Sequence, residues 1–393
     1  MIYLFVILLL LFLSFRYDIN GKLNGRDCWY IAVLILFIPM SGLRYRVGID
    51  TVGYIRSYYY STPRISNFFT SGYTIGDKPL WKLLNSICYS IGVKFYVVQL
   101  ITATFGNVLI FKYIKKHSDY IFTCLFFYFI YLYPAFNFET MKAFYAIVLS
   151  LYGNDFFLEK KWIKGYSLYI IAALFHTSTL ALLIVPLLLF LRMNRIGLFI
   201  LLFAFVAGYI LQKNLGDYFM LLDFLDDEEI ADKLEGYAES DKYGTGRGLL
   251  YIVGKLLPLL LFSFISFKKV QKNTCSSRLL VLEPFLMIAM LFVVLMSNIY
   301  VFYRFTQFFG IYFVIFFAQL FVDLCQSRRF TKGFSYARAC LLFSPLLFAI
   351  LIRYRVSYIK YVPYSSVIEK SISKEREKLF DKREKGTVRF DQY

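Results

Sequence analysis

The sequence predicts an all-α, polytopic integral membrane protein, and three observations carry that prediction. Of 393 residues, 59% are hydrophobic and only 18% charged, whereas soluble domains run near about 25% charged. The apolar residues fall in long runs, several close to the roughly 20 residues that a helix needs to cross a bilayer. Between the runs lie short clusters of lysine and arginine, as in the cytoplasmic connections of membrane proteins. Backbone polar groups in lipid must be satisfied within their own segment, so each run is expected to be helical. These dispersed clusters account for the net charge of +18, and nucleic acid is not an expected partner.

The first run, "MIYLFVILLLLFLSF", has neither a basic leader nor a small-residue cleavage site and reads as a retained first span. Arg16, Lys22 and Arg26 follow it. Further basic clusters stand at Lys112, Lys115 and Lys116, at Lys160, Lys161 and Lys164, and at Arg192 and Arg195. Two more are Lys268, Lys269, Lys272 with Arg278, and Arg328, Arg329, Lys332 with Arg338. The positive-inside rule puts all six connections in the cytoplasm and the N-terminus outside.

Parity then sorts the spans. The run Cys28 to Ser41 brings the chain out at Leu43, and it must be inside again at Lys112. Phe95 to Phe111 is the full-length run between, so "PLWKLLNSICYSIG", Pro79 to Gly92, reads as an interfacial or re-entrant helix. Gly165 to Leu191 has basic clusters at both ends. Two short crossings meeting near "FHTST" keep every cluster inside and leave His176 below the outer surface. The remaining spans are Ile196 to Gln212, Gly248 to Phe267, Leu279 to Ser297, Phe305 to Leu324 and Ala339 to Ile352. The total is about 12 crossings with both termini outside. Residues 1–352 form the transmembrane domain, with extracytoplasmic loops near 44–94 and 213–247, and 353–393 form a charged tail.

Six cysteines without paired spacing exclude a legible disulfide framework or zinc site. No Walker loop, HExxH or GxSxG is present, so neither a metal nor a cofactor is expected. Four groups remain as candidates for chemistry, because polar residues at membrane spans are costly and suggest function. "LRYRVGIDTVGYIRSYYY" places Arg44, Arg46 and Arg56 outside, against the topological bias, around Asp50. Arginine offers a planar fork for phosphate or carboxylate, although snorkelling to headgroups also explains Arg44 and Arg46. Asp50 is open to two readings, as a partner of an arginine or as a group acting on substrate. In "PAFNFETMKAFYA", Glu139 and Lys142 open a descending helix, where an internal ion pair is an equally good account. His176, among hydroxyls in "AALFHTST", could as a neutral imidazole take a proton from a hydroxyl. "YVFYRFTQFFGIYF" sets Arg304 among Tyr300, Tyr303 and Tyr312, aromatic faces that suit sugar rings. The acidic stretch Asp217 to Asp241 reads as a solvated outer helix.

Taken together these residues resemble the EpsG-like branch of the Wzy-type polysaccharide polymerases. Arg44, Gly48, Asp50 and Tyr54 match its "R-x-x-x-G-x-D-x-x-x-Y" signature. "FETMKAFYA" is similar to its "RQxxA" helix start, "FHTS" to its mid-chain histidine, "YRFTQFFGIYF" to its late arginine-aromatic segment, and "YVPYSS" to its C-terminal "PY". The resemblance runs from about Leu43 to Ser366, with one departure: Lys142-Ala143 stands where the family has Arg-Gln. Lysine keeps the charge but loses the bidentate fork.

The resemblance implies a GT-C-like, inverting, metal-independent glycosyltransferase of the bacterial inner membrane. Its donor and acceptor would be oligosaccharide repeat units carried on undecaprenyl diphosphate, met on the extracytoplasmic face, with membrane lipid and a chain-length regulator as further candidate partners. It implies Arg44, Arg46 and Arg304, assisted by Lys142, on the diphosphate, and His176 or Asp50 on the acceptor hydroxyl. Tyr54, Gly48, Glu139 and Tyr312 would complete the substrate site. Two other classes compete: a flippase for lipid-linked oligosaccharides, which predicts pseudo-symmetric halves and midplane charges, and a membrane O-acyltransferase, which also uses a membrane histidine.

Overall fold

A computed structural model describes residues 2–70, 72–74, 77–211, 256–272, 277–299, 302–326, 331–370 and 372–384. The acidic stretch Asp217–Asp241 and residues 248–255 of a predicted span lie outside them. Among the described residues the structure is helical, with one isolated antiparallel bridge between Arg44 and Ser366. The chain forms two compact units. The first comprises Met1–Leu183, Phe321–Ala339 and Ile350–Tyr393; the second comprises Ile184–Leu320 and Cys340–Ala349.

The first unit opens with α1 (Ile2–Leu13), which widens into a π turn over Ser14–Ile19. It continues with α2 (Arg26–Gly42), α3 (Asp50–Tyr60), α4 (Pro79–Ser90), α5 (Phe95–His117), α6 (Ile121–Tyr131), α7 (Met141–Leu158) and α8 (Trp162–Phe175). At one end the connections expected to share a side do meet. Asp18 accepts the backbone N–H and hydroxyl of Thr123 at 2.7 and 2.9 Å, and Arg26 lies 3.6 Å from it. Lys115 pairs with Asp27 at 2.7 Å, Lys116 and His117 both reach Asp155, and Gln326 donates to the carbonyls of Asp18 and Ile19.

Within the bundle, polar side chains satisfy one another, as an apolar surrounding demands. Asn107 donates to Asn137 at 2.8 Å, and Asn137 donates to the Tyr128 hydroxyl at 3.1 Å. This buried set fixes the π turn Ala135–Glu139, which delivers Glu139 to the far end.

The break after α8 falls at His176, whose backbone is extended (φ −154°, ψ 114°). Thr179 donates both its N–H and its hydroxyl to the His176 carbonyl, at 3.1 and 3.0 Å. Such local bonds compete with helix continuation. A 3-10 helix, Thr177–Leu188, follows. Two elements therefore occupy the stretch that the sequence divides near "FHTST". α4 is a 12-residue helix, too short to span, with Trp81 and Cys88 buried and Ile87 exposed.

The second unit contains α9 (Arg195–Leu211), α10 (Leu257–Lys272), α11 (Glu283–Asn298) and most of α12 (Tyr303–Cys325). α9 and α11 run antiparallel. Glu283 accepts the Met193 N–H at 2.7 Å at one end, and Asn298 donates to the Phe205 carbonyl at 2.9 Å toward the other. Ser266 of α10 donates to the Phe316 carbonyl of α12.

The predicted last run, Ala339 to Ile352, lies inside a longer helix, α13 (Lys332–Tyr361). Thirty residues measure about 45 Å, more than the roughly 30 Å of hydrocarbon. Hydropathy marks the lipid-sized part of a helix, and the polar turns beyond it are invisible to that measure. After α13 the charged segment turns back and α14 (Lys374–Glu384) packs down: Arg376, Leu379 and Phe380 are buried. Arg376 donates to the carbonyls of Ile359 and Pro363.

Three segments among the described residues are long and apolar enough to cross a membrane unaided: Ile2–Ile19, Phe95–His117 and Tyr303–Cys325. Shorter apolar helices are Ile121–Tyr131, Trp162–Phe175, Thr177–Leu188, Arg195–Leu211 and Glu283–Asn298.

Candidate active site

The end of the first unit opposite the Asp18–Lys115–Asp155 connections gathers the loop 43–50, the start of α3, the turn into α7 and the close of α13. Gly48 shows why the loop needs its sequence. Its φ is +82°, a conformation that L side chains avoid, and a Cβ there would stand 2.2 Å from the Phe138 carbonyl oxygen. The bare backbone lets its N–H donate to the Lys360 carbonyl at 3.0 Å while its own carbonyl accepts from Thr51. The Thr51 hydroxyl donates to the carbonyls of Val47 and Phe138. Tyr45 N–H donates to the Ser365 carbonyl, and Val367 N–H to the Leu43 carbonyl.

Arg44 departs from the role expected of it. It is 2% exposed, so no ligand reaches it without moving its neighbours. Its guanidinium donates to the carbonyls of Ser41 and Val47 and lies 5.9 Å over the Phe138 ring. Burial pushes its pKa down to about 10, which leaves it charged at neutral pH. In this structure Arg44 is the internal pin of the loop. Arg46, half-buried with φ +47°, lies over Tyr45 and over Phe380 of α14.

Asp50 is exposed at the first position of α3. Its backbone N–H donates to Glu139 Oε2 at 3.1 Å, and the Tyr361 hydroxyl donates to Glu139 Oε1 at 2.9 Å. Glu139 is thus engaged by protein on both oxygens, rather than free to hold substrate as expected. Lys142 Nζ lies 5.5 Å over the Tyr54 ring, whose edge meets Trp81 at 5.6 Å. Burial, and next the charges of Asp50 and Glu139, push the Tyr54 phenol well above its ordinary pKa. Asp50, Glu139, Tyr54 and Lys142 therefore form one group.

His176 borders the same region through aromatic packing. Phe175 stacks on Tyr145 at 4.5 Å with planes 6° apart, and both belong to the cluster that holds Tyr54, Trp81 and Met141. The His176 Nδ1 accepts from Ser178 N–H at 3.4 Å.

The remaining two residues are in the second unit. Arg304 is exposed in the first turn of α12. Tyr312, expected at a sugar, is fully buried and stacked on Phe285 at 5.1 Å. It lies more than two turns into α12, a helix largely buried by its neighbours, where packing decides its environment. Sequence reasoning missed Lys360 and touched Tyr361 only as the first residue of "YVPYSS", the stretch that pointed to this part of the chain.

The fold and the site define an integral membrane protein, helical throughout its described residues, with a charged group collected at one end. Over residues 27–366 the chain matches the family model described as the EpsG family, and it belongs to that family, whose members are Wzy-type polymerases. A polysaccharide-polymerase role follows from that membership. No curated protein and no solved structure matches the chain.

Proposed function

We propose that the protein joins undecaprenyl-diphosphate-linked oligosaccharide repeat units by inverting glycosyl transfer, on the extracytoplasmic face of the bacterial inner membrane. The observation that supports this most is the group Asp50, Glu139, Tyr54 and Lys142, drawn from two distant stretches that both carry family motifs. The acceptor hydroxyl attacks the anomeric carbon of the donor's reducing-end sugar. The bond from that carbon to the diphosphate oxygen breaks, the oxygen keeps the electron pair, and the hydroxyl proton passes to Asp50. Lys142 and Arg46 are the cations of the first unit that stabilise the charge growing on the diphosphate, and Arg304 is a separate candidate cation in the second unit. Arg44 and Gly48 hold the loop, Tyr54 lines the sugar site, and His176 orients the acceptor. About 12 crossings in a GT-C-like arrangement, with both termini outside, put this end of the first unit in the outer leaflet.

Deletion of the gene followed by gel analysis of surface glycan tests the reading: a single repeat unit should accumulate on its lipid. Lys142→Met should lower turnover about 100- to 1,000-fold, while Lys142→Arg, which restores the family's usual charge-bearing residue, should retain most of it. Purified protein in liposomes with a fluorescent lipid-linked unit separates the classes. Translocation without polymer would make the protein a flippase. Loss of acetyl groups with unchanged glycan length in the deletion strain would make it an acyltransferase.

A further inference from the structure

α13 reaches the candidate site through two consecutive residues, Lys360 and Tyr361, and the family's "PY", here Pro363-Tyr364, assigns a role to neither. The Lys360 carbonyl lies in the final turn of α13, where carbonyls lack an intrahelical partner, and it accepts the Gly48 N–H at 3.0 Å. Tyr361 donates its hydroxyl to Glu139 at 2.9 Å, and Glu139 accepts the N–H of Asp50 at 3.1 Å. That N–H is itself one of the unpaired donors at the start of α3, so Glu139 caps α3 from another part of the chain. Tyr361 is held in its turn: its ring packs on Phe138 with centroids 5.9 Å apart, and its carbonyl accepts the Tyr3 hydroxyl at 2.9 Å.

We propose that Tyr361 is a positioning residue for glycosyl transfer, acting through the Glu139 carboxylate to fix the backbone from which Asp50 projects. This rests on the glycosyl-transfer reading, with Asp50 as the proton acceptor. Tyr361 has no contact with substrate in this scheme. Its hydroxyl leaves Glu139 one orientation, and that orientation sets where Asp50 stands relative to the acceptor. The loss should therefore fall on kcat, not on KM, because the acceptor binds as before but meets a misplaced base.

The test uses full-length protein in proteoliposomes and, as probe, the lipid-linked single repeat unit extracted from the deletion strain. Tyr361→Phe keeps the ring against Phe138 and removes only the hydroxyl. It should lower kcat about tenfold, the effect of one hydrogen bond, with KM and the melting midpoint unchanged. In a Glu139→Gln background the same substitution should cost almost nothing more, because the two residues act in series. An additive loss, a loss confined to KM, or wild-type turnover in Tyr361→Phe would overturn the proposal. Asp50→Asn separates the two levels. If it is inactive while Tyr361→Phe is normal, only the positioning role falls; if it polymerises normally, the underlying assignment of Asp50 falls.

Discussion

Gly48→Ala is the most demanding single perturbation of the loop. An alanine at φ +82° costs about 1–2 kcal/mol from backbone sterics alone. Its methyl would also stand 2.2 Å from the Phe138 carbonyl oxygen and 2.8 Å from the carbonyl carbon, atoms of a backbone that cannot rotate away. The loop must then lift, breaking the bond from Gly48 to Lys360 at 3.0 Å and straining those from Thr51 to Phe138 at 3.3 Å and from Asp50 to Glu139 at 3.1 Å. At about 1 kcal/mol for each net bond lost, the docked loop is disfavoured by about 3–5 kcal/mol in all. That is a fall of at least about 100-fold in the population of the assembled site. The assay is complementation of the deletion strain, read as glycan ladder length beside protein abundance, with turnover of the purified protein. Gly53→Ala is the control in the adjoining helix α3: no atom lies within 4 Å of the added Cβ, so melting should rise by about 0.5–1 kcal/mol equivalent. Full-length glycan from normal amounts of Gly48→Ala protein would refute the account of the loop.

Two further outcomes follow from the packing. Arg376→Ala removes bonds to the carbonyls of Ile359 and Pro363 from a buried position, so α14 should loosen by about 2–4 kcal/mol and the 362–384 segment should be cut faster by protease; the exposed Glu375→Ala should change nothing measurable. Asp77 is held down to a pKa of about 2, first by Lys82 and then by Thr74. Its folded pKa is depressed, so the contribution is complete above about pH 4 and lost as pH falls through 2. For so exposed a pair it is below about 1 kcal/mol, and the melting difference between Asp77→Asn and the parent protein should vanish at pH 2.

The elements closest to the sequence pattern were those set by local forces. The helix over Pro79–Ser90 and the break at His176 were legible from charge parity: one full-length run lies between Leu43 and Lys112, and basic clusters flank Gly165 to Leu191 at both ends. The approach of the Asp50 region to Glu139 was legible as shared motifs, without its geometry. The inward turn of Arg44 was not legible for a physical reason. Its guanidinium meets the carbonyls of Ser41 and Val47 because the loop folds back on itself, and that fold is held by backbone pairing with Ser365 and Ser366, far along the chain. The burial of Tyr312 was not legible because it lies in a span that is mostly buried by its neighbours, and tertiary packing rather than local pattern decides that. The charged residues after 353 suggested a solvated tail. Arg376 is instead buried by Ile359 and Pro363, a packing that composition cannot announce.

The closure of the loop by α13 also orders events during biogenesis. Tyr361 follows Glu139 by 222 residues, which at about 5–20 residues per second is roughly 10–45 s of synthesis. Through that interval the Gly48 N–H lacks the Lys360 carbonyl and Glu139 lacks the Tyr361 hydroxyl, while the Asp50 N–H is already present to bond Glu139. A chain whose early helices are already in the bilayer therefore lacks the two bonds by which α13 closes the loop. The loop closes only once α13 has been made, so the order of synthesis sets the order in which this end of the first unit is completed.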